Sequence, residues 1–349
     1  MKALINLGAL GRNLAKLRKI AGSENMIAMV KANAYGHGLV PVAQFLETQG
    51  VKYFGVATIE EGEYLRKAGI KSAILLMSGA GLELAPERVL KADLTPLVSS
   101  IQELDALEKL NKEINIHIDL DTGMSRGGFP VSQTQQIIDW FAQTNRCVKL
   151  EGLSTHFANA ETPDCAFSQI QIARFETAGL ESKIIHMAKS SAICNHIGVG
   201  AELFHRPGIA LYGAYGDFEP VMSLKAPITL VKTISTGATV GYNQTWQASR
   251  ETQIALIRAG YGDGYPRELS NSGHALFQGK RVPIIGRVSM DLITLDMTGF
   301  KAKTGDWVTL MGCDASEEIT AQELAEACHT IPYEILTRVT ERVLREYCV

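Results

Sequence analysis

A lysine stands alone where an apolar run ends. Met26-Ile27-Ala28-Met29-Val30 reads as a buried strand, and Lys31-Ala32-Asn33-Ala34-Tyr35-Gly36-His37-Gly38 follows it. Small residues and glycines let a backbone or a ligand come close. An amine held there is desolvated, which disfavours its charged form and suits it to act as a nucleophile or a base. The same lysine could instead reach past the strand end into water, so the choice rests on what else the chain brings to it. Other residues able to do chemistry are Asp119 and Asp121, ahead of Thr122-Gly123-Met124-Ser125-Arg126, then His156 in Ser154-Thr155-His156-Phe157, Lys189-Ser190, and Arg206 before Gly208-Ile209-Ala210. Later in the chain, Gly260-Tyr261-Gly262-Asp263-Gly264-Tyr265-Pro266-Arg267 sets two tyrosines in a glycine-rich loop. A phenol there could serve as an acid or base if a nearby cation lowered its ordinary pKa of about 10. The plain alternative is a hairpin with incidental tyrosines. Gly286-Arg287-Val288-Ser289-Met290-Asp291 and Ile331-Pro332-Tyr333-Glu334 are two further polar breaks.

The elements that must position these residues follow from periodicity. Leu10, Leu14, Leu17 and Ile20 share one face of an opening helix. Strand-like runs come next at Met26–Val30, Tyr53–Ala57, Ala73–Met77, Leu94–Val98, Ile114–Ile118, Lys149–Thr155, Ile184–His186 and Leu203–Ile209. A helical pattern follows each of the first seven, as at Ile59–Ala68, Ser99–Leu110 and Ser132–Phe141. Near-continuous Val/Ile/Leu strands suit a covered parallel sheet, and eight such units predict an α/β fold with an N-terminal (β/α)8 barrel. Catalytic groups in such barrels come from the C-terminal ends of the strands. Lys31, Asp119, Asp121, His156, Lys189, Ser190 and Arg206 all fall there. Gly208-Ile209-Ala210 and Ser190 could offer backbone N–H groups and a hydroxyl to a phosphate. A lysine with a phosphate cradle is what pyridoxal 5'-phosphate (PLP) uses. Past Gly213-Ala214-Tyr215-Gly216 the character changes to short β-rich runs at Ile228–Ile234, Thr252–Ile257, Arg281–Ile285, Ile293–Leu295 and Trp307–Leu310. Short helices are expected around Ala321–Cys328 and Tyr333–Val339. The predicted division is a barrel domain over 1–220 and a mostly β domain over 221–349.

Composition narrows the class. The chain has 349 residues, an apolar share of 46% and a net charge of −3. No basic tract points to nucleic acid or an anionic membrane. No signal-type apolar segment or bilayer-length run is present. The six cysteines are scattered with no Cys-x-x-Cys pair, so neither a zinc site nor a redox motif is expected. These features predict a cytoplasmic protein without a metal.

Taken as an ordered set, the motifs carry a resemblance that covers almost the whole chain. They are Val-Lys-Ala-Asn-Ala-Tyr-Gly-His-Gly at 30–38, Asp-Thr-Gly-Met-Ser-Arg at 121–126, Thr-His-Phe at 155–157 and Arg-Pro-Gly-Ile-Ala-Leu-Tyr-Gly at 206–213. Gly-Tyr-Gly-Asp-Gly-Tyr-Pro-Arg at 260–267, Gly-Arg-Val-Ser-Met-Asp at 286–291 and Pro-Tyr-Glu at 332–334 complete them. The chain resembles the alanine racemases, PLP enzymes with a barrel and a C-terminal β domain. The resemblance implies that Lys31 carries PLP through its amine, and that Tyr35, Ser190, the Gly208-Ile209 backbone and Tyr333 hold its phosphate. Arg206 would face the pyridine nitrogen, where a guanidinium cannot act as an acid. Arg126 and Met290 would contact the substrate carboxylate side. His156, with Arg206, would tune Tyr261, and Asp119 and Asp291 would support the site. Lys31 and Tyr261 would then be the two bases that interconvert L- and D-alanine, supplying D-alanine for peptidoglycan. The tyrosine would come from the partner subunit of a homodimer.

The chain departs from the family's pattern in two places. Asp119 stands where the family usually has a lysine, often carbamylated, that braces the substrate-binding arginine. An aspartate supplies negative charge directly, and the expectation is that it orients Arg126. Lys189 replaces an asparagine before the phosphate-binding serine, and either adds charge near the phosphate or points to solvent. Rival readings are a racemase of serine, lysine or broad specificity, a PLP-dependent decarboxylase of the same architecture, a non-enzymatic PLP carrier, and a barrel glycosidase using Asp119 and Asp121. The last leaves Lys31 unexplained.

Overall fold

The computed structural model describes residues 1–78, 82–143 and 146–349. Its backbone contacts divide into two compact units. One comprises Gly11–Ala34 and Gly38–Leu211; the other comprises Met1–Leu10, Tyr35–His37 and Tyr212–Val349. A single cut at 220 therefore differs from the contacts at both ends of the barrel sequence.

Among the described residues the first unit holds eight parallel strands arranged as a barrel, with a short ninth, Phe129–Pro130, pairing beside the fifth. Its strands are Ile27–Met29, Tyr53–Val56, Ala73–Leu76, Thr95–Val98, Ile114–Asp121, Val148–Ser154, Ile184–Lys189 and Phe204–Arg206. Neighbours pair in parallel around the order. The Met26–His205 bridge, with Met29 N donating to Pro207 O at 3.1 Å, joins the last strand to the first. All eight predicted strands are present. Their apolar character follows from burial on both faces: Ile27, Phe54, Ile74, Val98, Ile116 and Ile118 have no exposed surface. Among the helices outside them, Ile59–Lys67 opens with a capping box, in which Thr58 accepts from Glu61 N and Glu61 accepts in return.

The second unit is mostly β. Met222–Ile234 is its spine, pairing antiparallel with Thr252–Ile257, Trp307–Asp314 and Lys2–Asn6. Lys2–Asn6 also pairs in parallel with Leu344–Cys348. The strands at Lys2–Asn6, His274–Phe277 and Leu344–Cys348 go beyond those read from sequence. The predicted closing helices appear as Ala321–Ala327 and Pro332–Thr337.

Candidate active site on the barrel rim and the second unit

Lys31 follows the first barrel strand after a single residue, Val30, and the backbone after it turns the wrong way for L-residues. Ala32, Asn33, Ala34 and Tyr35 have φ of 52°, 55°, 54° and 52°. A left-handed turn costs roughly 1–2 kcal/mol per non-glycine residue; asparagine tolerates it best, and the alanines and Tyr35 must be held in it by their surroundings. Specific bonds hold it. Ala34 N donates to Val30 O at 2.7 Å, Gly38 N to Asn33 O at 2.9 Å, and Leu39 N to Asn33 Oδ1 at 2.7 Å. Ala32 N donates to Glu61 Oε1 at 2.6 Å. The same carboxylate caps the next helix, so Glu61 ties the lysine's turn to the neighbouring βα unit. Glu61 was not singled out from sequence, although Thr58-x-x-Glu61 is a readable capping signature.

The Lys31 amine has no hydrogen bond or ion pair among the described residues. Burial, then the positive charges of Arg126 and Arg206, lower its pKa, while Glu61 opposes them. Such an amine gives up its proton more readily than a surface lysine.

Arg206 anchors the polar centre of the rim. It is buried, and its terminal nitrogens are fully engaged. Nη1 donates to Ser154 Oγ at 3.2 Å, to His186 O at 2.6 Å and to His186 Nδ1. Nη2 donates to Thr155 O at 2.8 Å, His156 Nδ1 at 3.0 Å and Met187 O at 3.1 Å. None of its bonds among the described residues uses Nε. Burial lowers its pKa to about 10, against the pull of Asp119, so it stays charged at neutral pH. His156 is driven down to about 2, by burial first and then by Arg206 and the other cations. It is neutral, with Nδ1 the acceptor and its proton on Nε2.

Asp119 gives up its proton less readily than a free aspartate: its pKa is pushed up to about 6, because burial outweighs Arg206, a Ser154 hydrogen bond and Arg126, in that order. Arg206 is therefore a stronger charge partner of Asp119 than Arg126 is. Arg126 lies exposed with no hydrogen bond or ion pair among the described residues. Asp121 braces the intervening loop, accepting from Gly123 N at 2.9 Å and Ser125 N at 3.0 Å. Lys189 neither adds its charge alone nor points freely to solvent; it pairs with Glu161 Oε1 at 2.9 Å. Beside it, Ser190 Oγ accepts from Gly208 N at 2.9 Å and Ala210 N at 3.2 Å. The Ile209 N–H between them carries no hydrogen bond among the described residues. The Ile209 N–H and the Ser190 hydroxyl hydrogen are donors open to an anion such as phosphate, and the Gly208 and Ala210 N–H groups that now meet Ser190 Oγ flank them. Ala210 joins the predicted Gly208-Ile209 pair there.

In the second unit, Tyr35 stacks on Tyr212 with ring centroids 4.8 Å apart and lies 6.0 Å from Tyr333. Burial pushes the Tyr35 phenol upward, so it remains a neutral hydrogen-bond donor. Tyr261 and Met290 sit on two loops zipped backbone to backbone. Tyr261 N donates to Ser289 O at 3.0 Å and Gly262 N to Met290 O at 2.9 Å. A Cβ at Gly260 would come within 2.2 Å of Met290 O, so only glycine permits that approach. Asp263 accepts from Gly260 N at 3.0 Å, and Arg342 joins Asp263 at 3.4 Å to Asp291 at 2.6 Å. Tyr261 is 40% exposed and Met290 51%.

The predicted residues thus assemble in two groups. Lys31, Asp119, Arg126, His156, Ser190, Arg206, Gly208 and Ile209 lie on the barrel unit. Tyr35, Tyr261, Met290, Asp291 and Tyr333 lie on the second. His186 and Ser154 are polar rim residues that sequence reasoning passed over; a histidine inside the apolar Ile184-Ile185-His186-Met187-Ala188 run was the available signal.

A parallel barrel with a desolvated amine, a buried guanidinium and an anion-binding nest on one rim, joined to a β domain bearing a loop phenol, defines a class of two-domain barrel enzymes with a rim lysine. Comparison with known proteins narrows the class. The alanine racemase N-terminal domain family matches residues 5–216 and the alanine racemase C-terminal domain family matches residues 221–347. An alanine racemase of Carboxydothermus hydrogenoformans is 38% identical over 99% of this chain and 98% of its own. The crystal structure of an alanine racemase from the D-cycloserine producer Streptomyces lavendulae superposes with a TM-score of 0.91 at 32% identity, covering 100% of this chain and 97% of that one. One from Bartonella henselae, with covalently bound pyridoxal phosphate, superposes at 0.88 with 31% identity and covers 99% of both chains. The chain belongs to the alanine racemase family.

Proposed function

We propose that the protein interconverts L- and D-alanine, with PLP as cofactor, as a homodimer whose sites are shared between subunits, and that it supplies D-alanine for peptidoglycan. The observation that carries this is the rim itself: a free, desolvated Lys31 amine beside a charged Arg206 and the Ser190 nest, in a chain of this family.

The residues present fit the cofactor. Ser190 Oγ and the amides of Gly208, Ile209 and Ala210 would hold its phosphate, with the Tyr35 and Tyr333 phenols as further donors. The Nε–H of Arg206 is left to donate to a ring nitrogen. When bound, PLP supplies an electron sink that makes the substrate Cα–H acidic. Lys31 Nζ, its pKa lowered, takes or returns the Cα proton on one face. The Tyr261 hydroxyl of the other subunit serves the opposite face, since inversion requires removal on one side and delivery on the other. His156, kept neutral by burial and then by Arg206, can only donate through Nε2, so it can stabilise a Tyr261 phenolate by a hydrogen bond but not by charge. Arg126, free and always protonated, and Met290 would receive the substrate carboxylate side. Asp119 would act on the rim arginines, on Arg206 before Arg126, and Asp291, paired with Arg342, would support the Met290 loop.

Incubation with PLP and single L-amino acids in deuterated water tests the reading. Alanine should gain deuterium at Cα together with the D-enantiomer. Exchange with serine or lysine but not with alanine would overturn the substrate, and release of carbon dioxide would overturn the reaction.

A further inference from the structure

Behind Arg206 the barrel interior holds two fully buried histidines, His117 and His186, whose presence among apolar side chains calls for a reason. His186 receives Arg206 Nη1–H on Nδ1. Its Nε2 lies 2.7 Å from His117 Nδ1. His117 Nε2, which has no hydrogen bond among the described residues, lies 3.6 Å from Glu151 Oε2. That distance is electrostatic contact rather than a hydrogen bond.

Proton bookkeeping leaves one arrangement. Arginine can only donate, so His186 Nδ1 is a lone pair and its proton sits on Nε2. His117 Nδ1 must then accept, which places the His117 proton on Nε2, facing the carboxylate. Every donor points the same way, from the guanidinium to Glu151. The backbone is shaped for this chain. The strand register passes from Ile116 opposite Leu150 to His117 opposite Gly152, so Glu151 is the extra residue of a bulge, a device that re-aims a side chain. A Cβ at Gly152 would fall 2.5 Å from the His117 ring.

We propose that Glu151 and His117 are positioning residues for Arg206: the carboxylate anchors a one-directional His117–His186 chain that holds the His186 ring in place and so the plane of the guanidinium. Their importance for turnover rests on the racemase reading, but the chain itself does not.

The test is nitrogen NMR of protein labelled with 15N-histidine, with His117→Asn used for assignment, where protonated and unprotonated ring nitrogens resolve separately. His117 and His186 should both appear as neutral Nε2–H tautomers. Glu151→Leu should shift the His117 nitrogens and lower kcat about tenfold with KM little changed. Glu151→Gln, which keeps an acceptor, should restore both. A His117 ring protonated on Nδ1 in the unaltered protein overturns the proposal even if racemisation is confirmed. So does a Glu151→Leu protein with unmoved ring nitrogens. Absent racemisation with the predicted tautomers would instead strike the functional reading alone.

Discussion

Asp119 keeps a proton well above the pH at which an unfolded aspartate loses one. With its pKa near 6 in the folded protein and about 4 unfolded, the folded state binds more protons between those values. Stability from this group is therefore present below about pH 4 and lost as pH rises through 6. Asp119→Asn removes that loss, so urea unfolding should show the variant gaining roughly 2 kcal/mol on the unaltered protein between pH 4 and 7.5. In the same variant, KM and kcat for alanine should both worsen if the charge steadies the rim arginines; unchanged values would end that role. Tyr261→Phe removes only a hydroxyl from an exposed ring. It should cut turnover on L-alanine by about 10²–10⁴-fold, with Cα proton abstraction from L-alanine slowed more than from D-alanine, as read by primary isotope effects.

At the level of elements, the turn after Lys31 shows what a sequence reveals and what it conceals. The eight barrel strands were legible because each is a short apolar run buried on both faces, and the rim followed from knowing which end of a strand carries function. The left-handed path of Ala32–Tyr35 was not legible, since alanine avoids that conformation on its own and tertiary bonds impose it. Asn33 contributes most locally. Asn33→Ala loses the side-chain bond to Leu39 N and puts a less tolerant residue at positive φ, and should cost about 1–2 kcal/mol in thermal unfolding. Gly36→Ala should do worse, above about 2 kcal/mol, because the new methyl would meet Leu336 O at 2.1 Å at a φ of +83°. The Arg206 partners were equally hidden: His186 and Ser154 belong to different strands, and only register brings Ser154 opposite His186 and Asp119 opposite Ser154.

For the whole molecule, assembly is the open prediction. A phenol and a methionine left 40% and 51% exposed, with Leu292 41% exposed close by in sequence, suit a surface that another subunit covers. Mixing Lys31→Ala with Tyr261→Phe protein and allowing subunits to exchange should recover up to about a quarter of the unaltered turnover, because half-mutant dimers regain one intact site. No recovery would place both bases on one chain. Residue patterns carry no sign of an oligomer; the expectation of one rests on likeness to a family.

The pairing of Lys2–Asn6 with Leu344–Cys348 bears on how the protein is made. Lys2 and Glu346, which form an ion pair across these strands, are 344 positions apart. The barrel's strands are complete by Arg206, and such a unit can fold while translation continues. The opening strand, with Ala3 and Ile5 bound for full burial, must meanwhile wait for Met222–Ile234, the first of its two partners to be made, and keeps its other edge open until Leu344–Cys348 emerges. During that interval it is an unpaired apolar edge, the kind of segment that seeds aggregation. Stalled or prematurely ended translation should thus yield insoluble chains even when every barrel strand has been synthesised.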